Sequence, residues 1–421
     1  MTQSPIDHER HNLQRKTITT LTTAQSLTGL GVASTVAAGS LLVASISHSE
    51  TLAGLAQTFS VLGAAVMALP LANLTRRGGR RLALSAGFSV GALGAVTAIT
   101  AGALRILPLM LLGTFMVGAA SAASYQARYA AVDLATDDTR ASDLSRVVWA
   151  STIGAVLGPN LMAPSGRLAT VLGLPKLTGP YILAATMLAL GALIIWTRLR
   201  PDPYLVNVDS ERKLTATEPV KMSTPEVLRV IRQHPRALLG LLAVAIGHIA
   251  MVSVMVMTPV HMAHAEVTLK IIGLVISVHI LGMYALSPLV GRMADRLGRR
   301  RVIQIGGLIL LAAVLIAGTA PEMHNVQLGV GLFLLGLGWS CTLVAGSTLL
   351  SESVPTEVRA SVQGTSDLFM NLSGAIGGAS AGVIIATLSY GWLCAIAAVP
   401  VLLVTIYATV QLDEAKQAAV V

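Results

Sequence analysis

Twelve stretches of this chain are apolar for long enough to cross a lipid bilayer, and that single feature constrains the fold more than any other. They run over approximately 18–46, 52–75, 82–103, 106–130, 144–164, 178–198, 237–261, 269–291, 302–320, 325–350, 360–387 and 392–411. A hydrocarbon core about 30 Å thick needs roughly 20 residues at 1.5 Å rise each. Inside that core no water satisfies a free N–H or C=O, so the segments must be helices; a barrel would instead alternate in ten-residue pieces. Only 12% of the 421 residues are charged, about half the share carried by a soluble domain. The expected class is an all-α membrane protein with twelve transmembrane helices.

The charges that remain are sorted. Thread the chain from a cytoplasmic N-terminus through twelve spans, and of its 29 Lys and Arg residues only Arg105, Arg167, Lys176 and Lys270 fall at the outer end. This positive-inside bias puts both termini in the cytoplasm. The net charge of +9 is therefore no sign of nucleic acid, because the cations are spread over short loops and form no basic face. A mainly polar stretch of sixteen residues precedes an apolar run longer than a signal core, so no cleavable leader is expected. Cys341 and Cys394 sit inside spans and offer no disulfide framework.

One knot of charge, TRRGGRRLAL at 75–84, has a counterpart in GRMADRLGRRR at 291–301. Superposing Gly298 on Gly79 defines a shift of 219 residues. The same shift places Arg359-Ala360-Ser361 on Arg140-Ala141-Ser142, Gly377 on Gly158, and the start of span seven on the start of span one. The chain thus reads as a duplication: an N-terminal tail 1–17, a six-helix bundle 18–198, a cytoplasmic linker 199–236, a second bundle 237–411 and a C-terminal tail 412–421. Parallel repeats of this type occur in transporters. The linker is polar and holds five prolines; its TPEVLRVIRQHPRA end can form a short amphipathic helix at the membrane surface.

Twelve helices in two parallel halves, a long central loop and a G-x-x-x-D-R-x-G-R-R loop after span eight resemble the major facilitator superfamily. The match rests on Gly291, Asp295, Arg296, Gly298, Arg299 and Arg300. In the first half the corresponding positions hold Ala72, Arg76, Arg77, Gly79, Arg80 and Arg81, so the leading Gly and the Asp are replaced. The resemblance implies that Asp295 accepts bonds from the start of span five and latches the cytoplasmic side. A carboxylate suits the free N–H groups of a helix start. Arg76 has the wrong sign for that task and is expected to pair with Glu352 or Glu357. Span five carries Gly154, Gly158 and Pro159, which resemble the G-x-x-x-G-P part of an antiporter motif; Arg146 stands where that motif has an earlier Gly. Span four lacks the antiporter arginine, since Thr114 to Gly118 occupy its pattern.

An ionisable side chain deep in lipid costs about 2.5–3.5 kcal/mol on insertion scales, so each one is a functional candidate. Arg359, Gln363, Asp367 and Asn371 recur every four residues along one face of span eleven. Asp367 is expected either to titrate during transport or to be a structural carboxylate locked to Arg359, Gln363 or Arg128. His248 and His279, midway along spans seven and eight, are proton relays or packing residues. Gln25 and Asn160 are candidates to face a central cavity. His261, His264 and Glu266 lack the i, i+4 spacing of a helical zinc pair, so no metal is assigned. Methionines 251, 255, 257, 262 and 283 form an adaptable apolar set, and only 4% of residues are aromatic.

The resemblance then implies a secondary transporter moving a small, fairly apolar solute across a bacterial-type cytoplasmic (inner) membrane by alternating access. Efflux against protons is the leading reading; proton-coupled uptake of a nutrient, or a non-transporting sensor on the same fold, are the alternatives. No Ser/His/Asp set, zinc-protease motif or nucleotide-binding loop occurs, so no enzyme activity and no cofactor are expected, with the proton gradient as energy source. The expected partners are the solute and the bilayer, with the chain acting as a monomer.

Overall fold

The computed structural model describes residues 5–49, 52, 54–215, 222–264, 269–321 and 324–418, and every regular element among them is a helix. Among the described residues ten helices are long and apolar enough to cross a membrane, and the bent pair α4 (Arg140–Asn160) and α5 (Met162–Val171) makes an eleventh span. One of the ten, α2 (Leu55–Leu104), is two helices joined across a kink at Gly79. Divided there it supplies spans two and three, which brings the count to the expected twelve.

The remaining helices follow in order: α1 (Pro5–Ser47), α3 (Leu107–Ala130), α6 (Gly179–Arg198), α7 (Pro203–Thr215), α8 (Thr224–Gln233), α9 (Pro235–His264), α10 (Leu269–Tyr284), α11 (Ser287–Leu297), α12 (Arg299–Gly318), α13 (Asn325–Glu352), α14 (Thr356–Thr387) and α15 (Tyr390–Ala418). Helix α1 thus starts well before the apolar run, and much of the linker is helical in α7 and α8. Helix α8 is amphipathic as its sequence indicates, with Val227 and Ile231 buried. Large apolar side chains such as Leu93, Leu193, Leu315 and Leu403 are more than half exposed. Such an outer face is costly in water and neutral against lipid tails.

The chain divides into two compact units. The first comprises Met1–Ala135, Ala150–Thr224 and Thr356–Leu368; the second comprises Thr136–Trp149, Pro225–Pro355 and Phe369–Val421. Each unit holds most of one six-helix half together with the first turns of one helix that belongs, by sequence, to the other half. Shifting 136–149 by 219 residues gives 355–368, so the exchange obeys the duplication. In the first unit α2 packs on α3 and α6, and α1 packs on α6; in the second, α13 packs on α9, α10 and α12.

The two charged loops turn on the same device. Gly79 lies at φ 81° and Gly298 at φ 91°, a region that strains any residue with a Cβ. Each glycine ends one helix and lets the next begin at a pair of arginines.

Candidate functional site

The charged end of the second unit is built around the start of α4. The first N–H groups of a helix have no intrahelical partner. Here Ala141 N and Ser142 N donate to the two carboxylate oxygens of Asp295, at 2.9 and 2.8 Å. Close approach is possible because Gly291, one turn earlier on α11, has no side chain: a Cβ there would collide with Ser145 Oγ. Arg299 reaches Asp295 at 3.3 Å and Glu352 at 3.2 Å, and donates to the carbonyl of Asp137. Glu352, the last residue of α13, is also approached by Arg236 and Arg140 at 3.2 and 3.9 Å. Of the two acids expected for Arg76, Glu352 or Glu357, the first is instead gripped by three other arginines. Arg296 is exposed and Arg300 half-buried.

The first unit repeats the arrangement with different residues. Arg80 binds Asp133 through two hydrogen bonds of 2.8 and 3.1 Å, and its Nη2 donates to Gln363 Oε1 at 2.6 Å. Both members of the ion pair are 1% exposed. Arg80 and Asp133, shifted by 219, fall on Arg299 and Glu352, so the same arginine–acid pair closes both units. The small-residue contact is mirrored too, with its roles reversed: a Cβ on Gly364 of α14 would collide with Ala72 of α2. The Gly missing from position 72 has been placed on the opposite helix. Arg81 N donates to Asp202 at 2.7 Å, and a Cβ on Gly79 would strike the Asp202 carboxylate. Asp202 also accepts from Tyr204 N at 3.0 Å, so one linker carboxylate tethers two helix starts. Arg81 lies 4.8 Å from the Trp196 ring centroid, a cation over an aromatic face.

One helical turn farther along α14, Asp367 Oδ1 accepts from Arg128 Nη2 at 2.7 Å, with 0% and 2% of the two side chains exposed. Arg128 further donates to Tyr129 Oη and to the Tyr125 carbonyl, and its guanidinium lies 4.6 Å from the Tyr129 ring centroid. Of the partners foreseen for Asp367, the structure brings Arg128 to it. Gln363 is bonded to Arg80, and Asn371 is buried farther along the same helix.

A cavity of about 190 Å³ lies within the first unit, toward the end opposite the charged loops. Helix α3 lines it with Thr114, Val117, Ser121 and Tyr125, a single stripe spaced three to four residues apart. Helices α1, α2 and α6 add Thr35, Gln57, Ser60 and Tyr181. Seven of the eleven lining residues carry a hydroxyl or amide, and none is charged. The stripe spans about 16 Å from Thr114 to Tyr125, and its next member toward the charged loops is Arg128.

With this geometry in view, the comparisons with known proteins are decisive. The sequence matches the Major Facilitator Superfamily over residues 21–271 and 240–420. It is 37% identical to the uncharacterised MFS-type transporter YdeG of Bacillus subtilis strain 168, over 91% of this chain and 88% of that one. The chain belongs to the major facilitator superfamily. A riboflavin transporter, RfnT of Brucella anthropi, is 27% identical over 85% of each chain. Among solved structures, the fucose:proton symporter FucP of E. coli superposes with a TM-score of 0.70 at 17% identity, covering 93% of this chain and 97% of that one. The protein is a multi-pass membrane transporter of this superfamily and not an enzyme.

The other predicted positions divide between packing and exposure. Gly154 sits against the backbone of Gly29, and Gly158 against Ala33 and Ser34, so the superfamily's glycine segment seats α4 on α1. Pro159 lies next to the break where this span bends by 62°. Gln25 is buried and donates to Ser151 at 3.0 Å. Asn160, expected to face a cavity, is exposed and donates to the Val156 carbonyl of its own helix at 2.7 Å. An amide that bonds back to its own turn at a helix end needs no other partner.

Trp339 Nε1 donates to His248 Nδ1 at 3.1 Å; an indole N–H only donates, so this nitrogen is bare and a neutral ring carries its proton on Nε2. His279 pairs Nδ1 with the Leu332 carbonyl at 2.8 Å, a packing arrangement across α10 and α13. His261 stacks on Tyr390 with ring centroids 4.4 Å apart; Glu266 and the His264 side chain lie outside the described residues. Met251, Met262 and Met283 are buried as core. Three positions of the candidate site were missed in the sequence, Asp133, Asp202 and Tyr181, and Glu352 was assigned to a different arginine.

Proposed function

We propose that the protein is a proton-coupled secondary transporter in which Asp367 takes and returns the proton, with the polar cavity as part of the solute path. The Arg128–Asp367 pair carries this reading. A fully buried ion pair contributes little net stability against an apolar replacement, so its presence one turn from a cavity favours a working role. Arg128, Arg80 and the Tyr125 hydroxyl are the charged and titratable groups facing Asp367, with Gln363 and Asn371 one turn before and after it. Protonating Asp367 discharges its half of the pair and leaves Arg128 open to another partner.

The charged loops act as latches in this scheme: Asp295, Arg299 and Glu352 hold the start of span five, while Arg80, Asp133 and Gln363 hold the start of span eleven. Their release and closure accompany alternating access. The distribution of Lys and Arg supports cytoplasmic termini and a cytoplasmic-membrane location. We read the direction as efflux, on the glycine–proline segment of span five. Uptake by symport is the second reading, favoured by the hydroxyl-rich lining, which suits a polar solute better than the fairly apolar one expected from composition. The name of the riboflavin-transporting relative supports a polar solute as well.

Proteoliposomes holding the purified chain test the coupling. With a solute found by screening labelled metabolites, a pH gradient drives accumulation in the wild type, and the sign of the response gives the direction. Asp367→Asn is expected to lose the response while keeping solute-for-solute exchange. The double variant Arg128→Gln/Asp367→Asn, which removes both charges, controls for a buried charge left unpaired. Gradient-driven accumulation at the wild-type level in Asp367→Asn would refute the assignment.

A further inference from the structure

The substrate class can be narrowed from where charge lies around the cavity. Its lining offers no carboxylate, so nothing there would hold a cation. The charge that follows along the α3 stripe is positive: Arg128 continues Thr114, Val117, Ser121 and Tyr125, one turn beyond the last of them. Asp367, its partner, comes from α14, which supplies no residue to the lining. One group of the lining lacks a hydrogen-bond partner among the described residues. Tyr181 is 1% exposed and lines the cavity, and its hydroxyl makes no hydrogen bond among the described residues. Buried hydroxyls are normally satisfied, so this one is poised for something the cavity admits.

We propose that the cavity binds a small organic anion, whose carboxylate takes the place of Asp367 on Arg128 while a hydroxyl or carbonyl elsewhere in the molecule meets Tyr181. A guanidinium presents a planar fork of donors that matches a carboxylate in two parallel bonds. The exchange balances: the solute brings one negative charge, Asp367 accepts one proton, and the site stays neutral before and after. Asp367 and an anionic solute therefore compete for one cation, proton and solute load together, and binding strengthens as the pH falls; this exchange accords with the symport reading rather than with efflux. This rests on the proton-coupled reading of the same pair, yet binding is measurable without any gradient or flux.

The test is binding to the purified full-length chain in detergent, by thermal shift and calorimetry. The probes are benzoate, lactate and gluconate, each against its own amide, at pH 6 and pH 8. At least one carboxylate is expected to bind roughly tenfold tighter than its amide, about what one charge-assisted hydrogen bond supports. Asp367→Asn is expected to tighten that binding and remove its pH dependence; the folded double variant Arg128→Gln/Asp367→Asn loses it; Tyr181→Phe weakens it several-fold. If every amide binds as well as its carboxylate, or if Asp367→Asn abolishes anion binding, the inference is wrong even where proton-driven transport of another solute persists. If a carboxylate binds as described but no proton-driven flux is found, the anion site stands and the coupling falls.

Discussion

Replacing Asp295 by Asn tests the latch at the start of span five with little change in shape. The carboxylate accepts from two backbone N–H groups, at 2.9 and 2.8 Å, and its side chain is 5% exposed. An Asn keeps one acceptor and turns an NH₂ toward the second N–H, so one charge-assisted bond is lost outright. Such a bond contributes about 1.5–3 kcal/mol. The lost attraction between a negative charge and the helix start adds about 0.3–1 kcal/mol. A total near 3 kcal/mol corresponds to roughly a hundredfold rise in the opening of this turn. Hydrogen exchange read by mass spectrometry on a peptide covering residues 138–146 is the assay. The Ala141 and Ser142 amides should exchange up to about a hundredfold faster, while amides in the middle of α4 stay as they were. Unchanged exchange at those two positions, in a variant that remains folded, would show that another group satisfies them and that Asp295 is not the latch.

Three further outcomes are expected. Arg76→Asp places an acid at the position related to Asp295 by the duplication, and should slow exchange at Ala360 and Ser361, the counterparts of Ala141 and Ser142. Gly364→Ala forces a methyl against Ala72 and should cost about 1–3 kcal/mol by overpacking; adding Ala72→Gly should restore most of the lost thermal stability, which a contact unrelated to residue 72 could not do. Trp339→Phe removes the donor to His248 Nδ1 and should lower the melting temperature without changing the pH dependence of transport. A changed pH profile there would return His248 to the proton path.

The reach of the sequence differs from residue to residue. The spans were legible because hydrocarbon permits one solution for a long apolar segment, and the charged knot around Gly79 separates spans two and three in the sequence as the kink does in the structure. The 219-residue shift could have yielded more than it did. Applied to the acids at the ends of spans four and ten, it relates Asp133 to Glu352 as it relates Arg80 to Arg299, and the paired contact then follows. Asp202 left no such trace, because it sits in a linker judged by its polarity and acts through a backbone N–H far away in sequence. The apparent loss of Gly at position 72 was misleading for a similar reason: a close contact needs one small residue, and sequence spacing does not say which helix provides it. Asn160 was misplaced because a helix face cannot be aimed before its neighbours are known. Tyr181 stayed hidden among apolar neighbours until the cavity gave its hydroxyl a meaning.

The proposed exchange at Arg128 is the step on which the transport scheme depends, and infrared difference spectroscopy observes it directly. The purified protein would be moved from pH 8 to pH 6 with a bound carboxylate, and the carboxylic-acid C=O stretch recorded. A new protonated-carboxyl band should appear in the wild type and be missing from Asp367→Asn. A band of equal size in that variant, or none in the wild type while solute binds at Arg128, would contradict the exchange.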